Sequence, residues 1–114
     1  MKKSNIHLEV GLDEQGIPEK IKWSADEAPV EGLQNAEAFS LSIWDSSQQG
    51  TLKIDLWTKE MEVFEMKRFF IEILSGMSDT IRNSTQDEIM AMDIENLAKD
   101  FTKRLEKEMR MAKG

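Results

Sequence analysis

The sequence has 114 residues, a net charge of −7 at pH 7 and no cysteine. Its balance of 39% hydrophobic and 32% charged residues is typical of one globular domain rather than a disordered chain. Disulfides, thiolate metal sites and cysteine nucleophiles are excluded, which suits a reducing compartment. The acidic charge argues against general nucleic-acid binding, because contacts to phosphates need a basic surface.

The sequence also predicts no membrane-spanning helix, because no apolar run approaches about 18 residues. The N-terminal stretch MKKSNIHLEVG has two lysines but lacks the apolar run of a signal peptide. We therefore expect a cytoplasmic protein.

The first half of the chain predicts four strands, because apolar and polar residues alternate in four segments. Residues 5–12 and 19–24 are predicted to form a hairpin across a turn rich in Asp, Gly and Pro. Residues 24–35 are interpreted as a connecting loop. The third and fourth strands are expected at about residues 36–44 and 52–57, around the polar turn DSSQQG. Short connections of this kind predict one four-stranded antiparallel sheet.

After Thr58 the apolar residues follow a helical period and form one stripe of a first helix: Val63, Met66, Phe70, Ile73, Leu74, Met77 and Ile81. Thr85 and Glu88 match a capping box, which predicts a second helix from Gln86 to about Met111. Strands first and helices last indicate a single α+β domain over residues 1–114. We expect strands at about 4–57, helices at about 60–112, and both helices packed on one face of the sheet.

Strand alternation predicts that two tryptophans face away from the helices. Trp44 follows Ile43 and Trp57 follows Leu56, so each points to the opposite side from its apolar neighbour. Trp23 shares the side of Ile21 and is expected in the core.

Several explanations of the outward tryptophans stay open. In the structural one, loop 24–35, with Val30 and Leu33, folds over them. In the functional one, Trp44 and Trp57 are anchors for a protein partner and are surrounded by polar residues, since tryptophan is enriched at binding hot spots. The polar surroundings on the same face are Ser42, Lys53 and Asp55. A homodimer through this face, or a small-ligand or chaperone-like cleft under loop 24–35, are the further alternatives.

Residues with catalytic or metal-binding chemistry do not form a recognisable site. His7 is the one histidine, and together with Glu9 and Asp55 it could hold a metal. A single imidazole on an exposed strand is more often an ordinary surface residue. Nucleotide-binding glycine loops, the nucleophile elbow and the H-E-x-x-H zinc motif are all missing from the sequence. We therefore expect no enzyme, no cofactor and no metal.

The second helix carries a basic stripe opposite its apolar one: Lys99, Lys103, Lys107, Arg110 and Lys113. Favourable i,i+4 pairs and the helix dipole explain such a face as solvated and self-stabilised. Docking on an acidic protein or an anionic membrane surface is the alternative. The acidity of the whole chain argues against the membrane.

Five motifs stand between Ser42 and Glu88: SIWDS, TLKIDLWTKEM, VFEMKRFF, MSDT and TQDE, preceded by VGLDEQGIPEKIKWSA at the N-terminal hairpin. In this order and spacing they closely resemble the GldC gliding-motility family of Bacteroidota. The resemblance implies a small cytoplasmic accessory of the gliding machinery, without a lipid anchor. It implies other components of that machinery as partners, and no catalytic activity or cofactor.

Overall fold

The structure is a computed structural model that describes residues 1–113. Its elements are β1 (Ile6–Leu12), β2 (Pro18–Ala25), β3 (Gln34–Ala36), β4 (Ala38–Asp45), β5 (Gly50–Trp57), α1 (Val63–Thr85) and α2 (Glu88–Lys113). The strands, within residues 1–61, and the helices, from Glu62 onward, form two compact units. The predicted α+β class, with strands first and helices last, is confirmed. The single domain and the packing of the helices on a sheet stay predictions.

The predicted first hairpin is confirmed. β1 and β2 are antiparallel, with Val10 opposite Ile21 and Leu8 opposite Trp23, which places their apolar side chains on one face. Ile21 is buried, with 1% of its surface exposed. Trp23, expected in the core, keeps part of its surface exposed. The turn between the strands is built by Asp13, whose Oδ1 accepts the backbone N–H groups two and four residues later, at 2.8 and 3.0 Å.

The prediction of one four-stranded sheet is wrong. β3, at the end of the segment interpreted as a loop, pairs with β2, so that Gln34 lies opposite Trp23 and Ala36 opposite Ile21. β1, β2 and β3 form one antiparallel sheet, and β4 and β5 form a second. β3 has three residues with small or polar side chains, and so short a strand has no alternation to reveal it. It takes the edge of β2 that the prediction gave to the next strand.

Backbone hydrogen bonds hold the segment after β5 against the rest of the strand unit. The N–H of Thr58 donates to the carbonyl of Glu37 at 2.8 Å, and the N–H of Lys59 donates to the carbonyl of Pro18 at 3.2 Å. Lys59 Nζ also forms an ion pair with Asp13 Oδ2 at 3.0 Å. Thr58 is buried, with 4% of its surface exposed. This segment therefore connects the end of β5 to the start of β2.

The helices form an antiparallel hairpin with a narrow buried seam. The buried residues of α2 are Ala91, Ala98 and Leu105, which recur every seven residues, and Ser78 is the buried residue of α1. A seven-residue repeat is typical of helices that pack along one another at a small angle. Within residues 1–113, neither α1 nor α2 contains an apolar stretch of the length that a membrane-spanning helix requires.

A left-handed residue and an N-cap form the connection between the helices. Gln86 adopts a left-handed backbone conformation, with φ of 58°, and its N–H donates to the carbonyl of Arg82 at 3.1 Å, which ends α1. Asp87 Oδ1 then accepts the N–H of Met90 at 3.0 Å, three residues later, which is the geometry of an N-cap. Asp87 is therefore the N-cap of α2.

The predicted capping box is wrong for this reason. Thr85 is the last residue of α1, and its hydroxyl donates to the carbonyl of Ile81 at 2.6 Å. Glu88 is the first residue of α2, and its carboxylate accepts from Arg82 at 2.7 Å instead of reaching back to Thr85. The left-handed turn moves the start of α2 beyond Thr85, so the motif is present in sequence but not in geometry.

Arg82 joins the helices near the connection. Its guanidinium lies 2.7 Å from Glu88, 3.3 Å from Asp79 and 3.6 Å from Glu95. These carboxylates, Glu88 foremost, raise the pKa of Arg82. At the other end of the hairpin, Lys67 pairs with Glu108 at 2.8 Å. Cross-helix ion pairs therefore link α1 and α2 at both ends of the hairpin.

Candidate protein-binding surface

The β4–β5 hairpin separates its side chains as the alternation predicts. One face is apolar, with Phe39 opposite Leu56, Leu41 opposite Ile54, and Ile43 opposite Leu52. The other face pairs Ala38 with Trp57, Ser40 with Asp55, Ser42 with Lys53, and Trp44 with Thr51. We call this second face the Trp face. It brings together all the residues that the sequence assigns to a partner-binding site.

The two tryptophans lie at opposite ends of the Trp face. Trp57 is level with Ala38, and Trp44 is six residues further along β4, which corresponds to about 20 Å of strand. Trp44 is 62% exposed and Trp57 is 47% exposed. Loop 24–35 therefore leaves both indoles accessible, against the structural explanation in which it covers them.

The centre of the Trp face is polar and electrically balanced. Lys53 Nζ donates to Asp55 Oδ2 and to the Ser40 hydroxyl, the latter at 3.4 Å. The Lys53 ammonium, and after it the Ser40 hydroxyl, hold the pKa of the Asp55 carboxyl below its usual value. Asp55 Oδ1 is shielded from solvent and has no partner at hydrogen-bonding distance. Asp55 thus stays ionised and depends on Lys53 for compensation.

The turn after β4 keeps Trp44 in place. Four residues separate the last pair, Asp45 and Gly50, and this even number keeps the apolar residues of both strands on one face. Asp45 Oδ1 accepts both the hydroxyl and the N–H of Ser47, at 2.7 and 3.0 Å. These bonds, that of the hydroxyl first, lower the pKa of Asp45. A turn held by a charged acceptor fixes the register on which the position of Trp44 depends.

The sequence did not assign one participant, Ser40, to the site. Alternation along β4 places Ser40 on the same face as Ser42, but its role depends on the cross-strand register, which sets it opposite Asp55 and within 3.4 Å of Lys53. Pairing the residues of the two strands one by one from the turn, starting with Asp45 and Gly50, would have placed Ser40 opposite Asp55. Ser42, which the sequence did assign, is exposed opposite Lys53.

The candidate metal residues are distributed over two sheets. His7 and Glu9 lie on β1, opposite Ser24 and Lys22, whereas Asp55 lies on β5 and is held by Lys53. Among residues 1–113, no three histidine or carboxylate side chains are placed to share a metal ion.

The other candidate surfaces are more open than the sequence suggested. Val30 and Leu33, expected to line a cleft under loop 24–35, are 47% and 51% exposed, so neither is enclosed. The basic stripe of α2, from Lys99 to Lys113, is solvent-exposed as expected. Neither the surface of loop 24–35 nor the basic stripe combines large exposed aromatic side chains with a cluster of paired polar ones, as the Trp face does.

A protein-family model places this chain among known proteins. The model described as "Gliding motility-associated protein GldC-like" matches residues 18–107. The chain belongs to the GldC-like family. The family match covers β2 through most of α2, including the whole Trp face of this GldC-like protein. It confirms the resemblance inferred from the motifs and associates the chain with gliding motility. Neither a curated protein nor a solved structure matches it.

Proposed function

We propose that this GldC-like protein is an adaptor of the gliding machinery that acts by binding another protein through its Trp face. One observation carries the proposal: two large indoles are exposed on a sheet face whose remaining side chains are small or charged. Tryptophan is among the residues most enriched at binding hot spots and most costly to leave in water. No catalytic step or cofactor is part of this function.

The geometry of the Trp face indicates what the partner must offer. Anchors about 20 Å apart require two apolar recesses rather than one deep pocket. Between them, the Lys53–Asp55 pair and the hydroxyls of Ser40 and Ser42 offer both donors and acceptors. A partner surface that is apolar at two points and polar between them would match this pattern, with little net charge at its centre.

We further propose that the partner is another component of the gliding machinery and that binding takes place in the cytoplasm. The family association with gliding motility supports the first part. The absence of cysteine among the 114 residues is consistent with the second, since oxidising compartments favour disulfides.

The deciding experiment is an affinity capture from a lysate of the native bacterium with tagged protein. The test variant is Trp44→Ala/Trp57→Ala. The matched control is Ile43→Ala/Leu52→Ala, which truncates an exposed cross-strand pair on the opposite face of the same hairpin; these residues are 47% and 56% exposed. Circular dichroism and thermal melting establish that all three proteins are folded.

We expect one or more proteins to be captured by the wild type and the control but not by the tryptophan variant. Loss of a true anchor should weaken binding by about 2 kcal/mol or more for each tryptophan. Identical catches from all three proteins would contradict the proposal and would make the tryptophans structural. Introducing the same variants into the chromosome and measuring colony spreading then links the surface to gliding.

A further inference from the structure

We propose that two copies of this chain associate through the apolar side of the helical hairpin to form an antiparallel four-helix bundle. The proposal concerns residues of α1 and α2 alone. It does not rest on the function proposed for the Trp face, which lies in the strand unit.

The two sides of the helical seam differ in chemistry. On one side, Phe70 and Leu74 of α1 and Phe101 of α2 line a groove of about 270 Å³. On the other side, the groove is lined largely by polar residues, including Glu72, Ser75, Lys99 and Thr102. The first side thus presents the aromatic and other large apolar side chains, which gain most by leaving water.

Further exposed apolar residues extend this first side along both helices. Helical spacing places Met77 seven residues from Phe70 on α1, and Met90 and Leu97 eleven and four residues before Phe101 on α2. Phe70, Met77, Met90 and Leu97 are 42%, 44%, 50% and 43% exposed. Single exposed apolar residues are ordinary, whereas an aligned row over two helices indicates an interaction site. We call this row, with Phe101, the apolar helix face.

The size of the apolar helix face fits a dimer. The 23 residues of α1 correspond to about 34 Å of helix. Two helices packed about 9 Å apart present a surface roughly 18 Å wide. Each copy would therefore contribute roughly 600 Å², and the pair roughly 1,200 Å², at the lower limit of stable specific interfaces.

The distribution of charge along the helical hairpin favours a second copy of the chain as the partner, in an antiparallel orientation. The connection end of the hairpin, residues 79–95, has five carboxylates and one basic residue, whereas the open end, residues 62–72 and 99–113, has eight basic residues and six carboxylates. A parallel arrangement would bring the two acidic ends together. An antiparallel two-fold arrangement places each acidic end on a basic one and overcomes the repulsion expected of two acidic chains.

One pair of residues fixes the register. Asp93 and Arg104 are eleven residues apart on α2, about three helical turns, so they share one edge of the apolar helix face. Among residues 1–113 neither has an ion-pair partner within 4.0 Å, and Arg104 lies over the Phe101 ring at 5.3 Å. A two-fold axis midway between them, beside Ala98, sets Asp93 of each copy against Arg104 of the other. Met90 then reaches the level of the other copy's groove, which a flexible thioether can fill.

Sedimentation velocity of the full chain over a range of concentrations tests the proposal. The wild type should sediment at twice the chain mass of 13.1 kDa. Asp93→Arg and Arg104→Asp should each weaken the dimer by about tenfold, because each places two pairs of like charges in contact. The double variant Asp93→Arg/Arg104→Asp restores opposite charges and should restore the dimer.

A second pair of variants tests the apolar contribution. Leu97→Glu places a charge in the centre of the apolar helix face and should give a monomer. Met92→Glu is the matched control, since Met92 is 47% exposed, like Leu97, but lies about 140° around α2 from it; it should remain a dimer. Circular dichroism verifies that every variant is helical.

Three results would overturn the proposal. They are a wild type that is monomeric at every concentration, a dimer unaffected by Leu97→Glu, and charge variants whose double exchange fails to recover association. A dimer that is lost in Trp44→Ala/Trp57→Ala but kept in Leu97→Glu would place self-association on the Trp face instead. That outcome would leave the capture experiment on a foreign partner to be judged separately.

Discussion

Lys53 donates a hydrogen bond to Asp55, two residues further along β5 and on the same face as both tryptophans. The pair places a positive and a negative charge side by side at the centre of the Trp face, between the two indoles, so that the centre has little net charge. A partner can therefore cover the centre without burying an unpaired cation, which lowers the cost of desolvation.

The first prediction follows from this pair. In Lys53→Met, the Asp55 carboxylate loses its main source of stabilisation, and Oδ1 is shielded from solvent without a partner. The pKa of Asp55 should therefore rise. NMR titration of the carboxyl carbon measures it directly, and Lys20→Met on β2 is the control. An unchanged Asp55 pKa would mean that Lys53 does not hold the carboxylate in solution.

The second prediction concerns the exposure of the three tryptophans. Variants that keep one tryptophan and replace the other two by phenylalanine isolate each indole. Acrylamide quenching should be strongest for Trp44, which is 62% exposed, and weaker for Trp57, which is 47% exposed. It should be weakest for Trp23, which is more buried. In denaturant the three should become alike. A weakly quenched Trp44 would show that another segment covers the Trp face.

The third prediction is a pH dependence of the strand unit. The backbone N–H of Ile17, and after it Lys59, hold the pKa of Asp13 below 3.8, so the folded state binds this proton less readily than the unfolded one. The stabilisation is therefore complete above pH 3.8 and is lost as the pH falls below that value through the folded pKa. Asp13 in turn raises the pKa of Lys59 above 10.5, so its contribution is complete below that pH and is lost as the pH rises through the folded pKa.

Thermal melting of wild type and Asp13→Asn as a function of pH tests this linkage. Between pH 6 and about 2, the wild type should lose more stability than Asp13→Asn, which has no carboxyl to protonate at this position. Glu14→Gln, which alters the neighbouring residue in the same turn, should behave like the wild type. Parallel curves for wild type and Asp13→Asn would show that Asp13 does not contribute.

The fourth prediction concerns the connection between the helices. Gln86 has φ of 58°, a conformation that costs little only for glycine. Gln86→Gly should therefore raise the free energy of unfolding by about 0.5–1 kcal/mol. Asn83→Gly, three residues earlier and inside α1, should instead lower it by a few tenths. Urea unfolding measures both, and a destabilising Gln86→Gly would contradict the left-handed geometry of the connection.

Alternation and helical period were sufficient for most elements. Each of the four predicted strands is present, since every one has enough alternating positions to define its two faces. The separation of Trp44 and Trp57 from Ile43 and Leu56 also followed from alternation, because a strand has a period of two wherever it pairs. The family resemblance came from the same segment of the chain, and the family match confirms it.

The pairing between strands could not be predicted as well from the sequence. β3 has only Gln34, Asn35 and Ala36, and its partner β2 is found only when the chain folds back. The capping box at Thr85 had the correct residue types, but the left-handed Gln86 moved the N-cap to Asp87. In both cases the local pattern was read correctly, but the hydrogen-bond partners of the segment were not. One sequence pattern is compatible with several sets of partners.

The sequence by itself determined the class of the fold, the order of its elements, the face on which each side chain of β4 and β5 lies, and the family. The first three depend on local periodicity, which the chain has before it folds, whereas the family was inferred from the resemblance of its motifs. The tertiary structure alone decided the division into two sheets, the exposure of Trp44 and Trp57, and the Lys53–Asp55–Ser40 cluster. It also decided which side of the helical seam is apolar. These depend on contacts between residues that are far apart in the sequence, and such contacts form only when the strands and helices pack together.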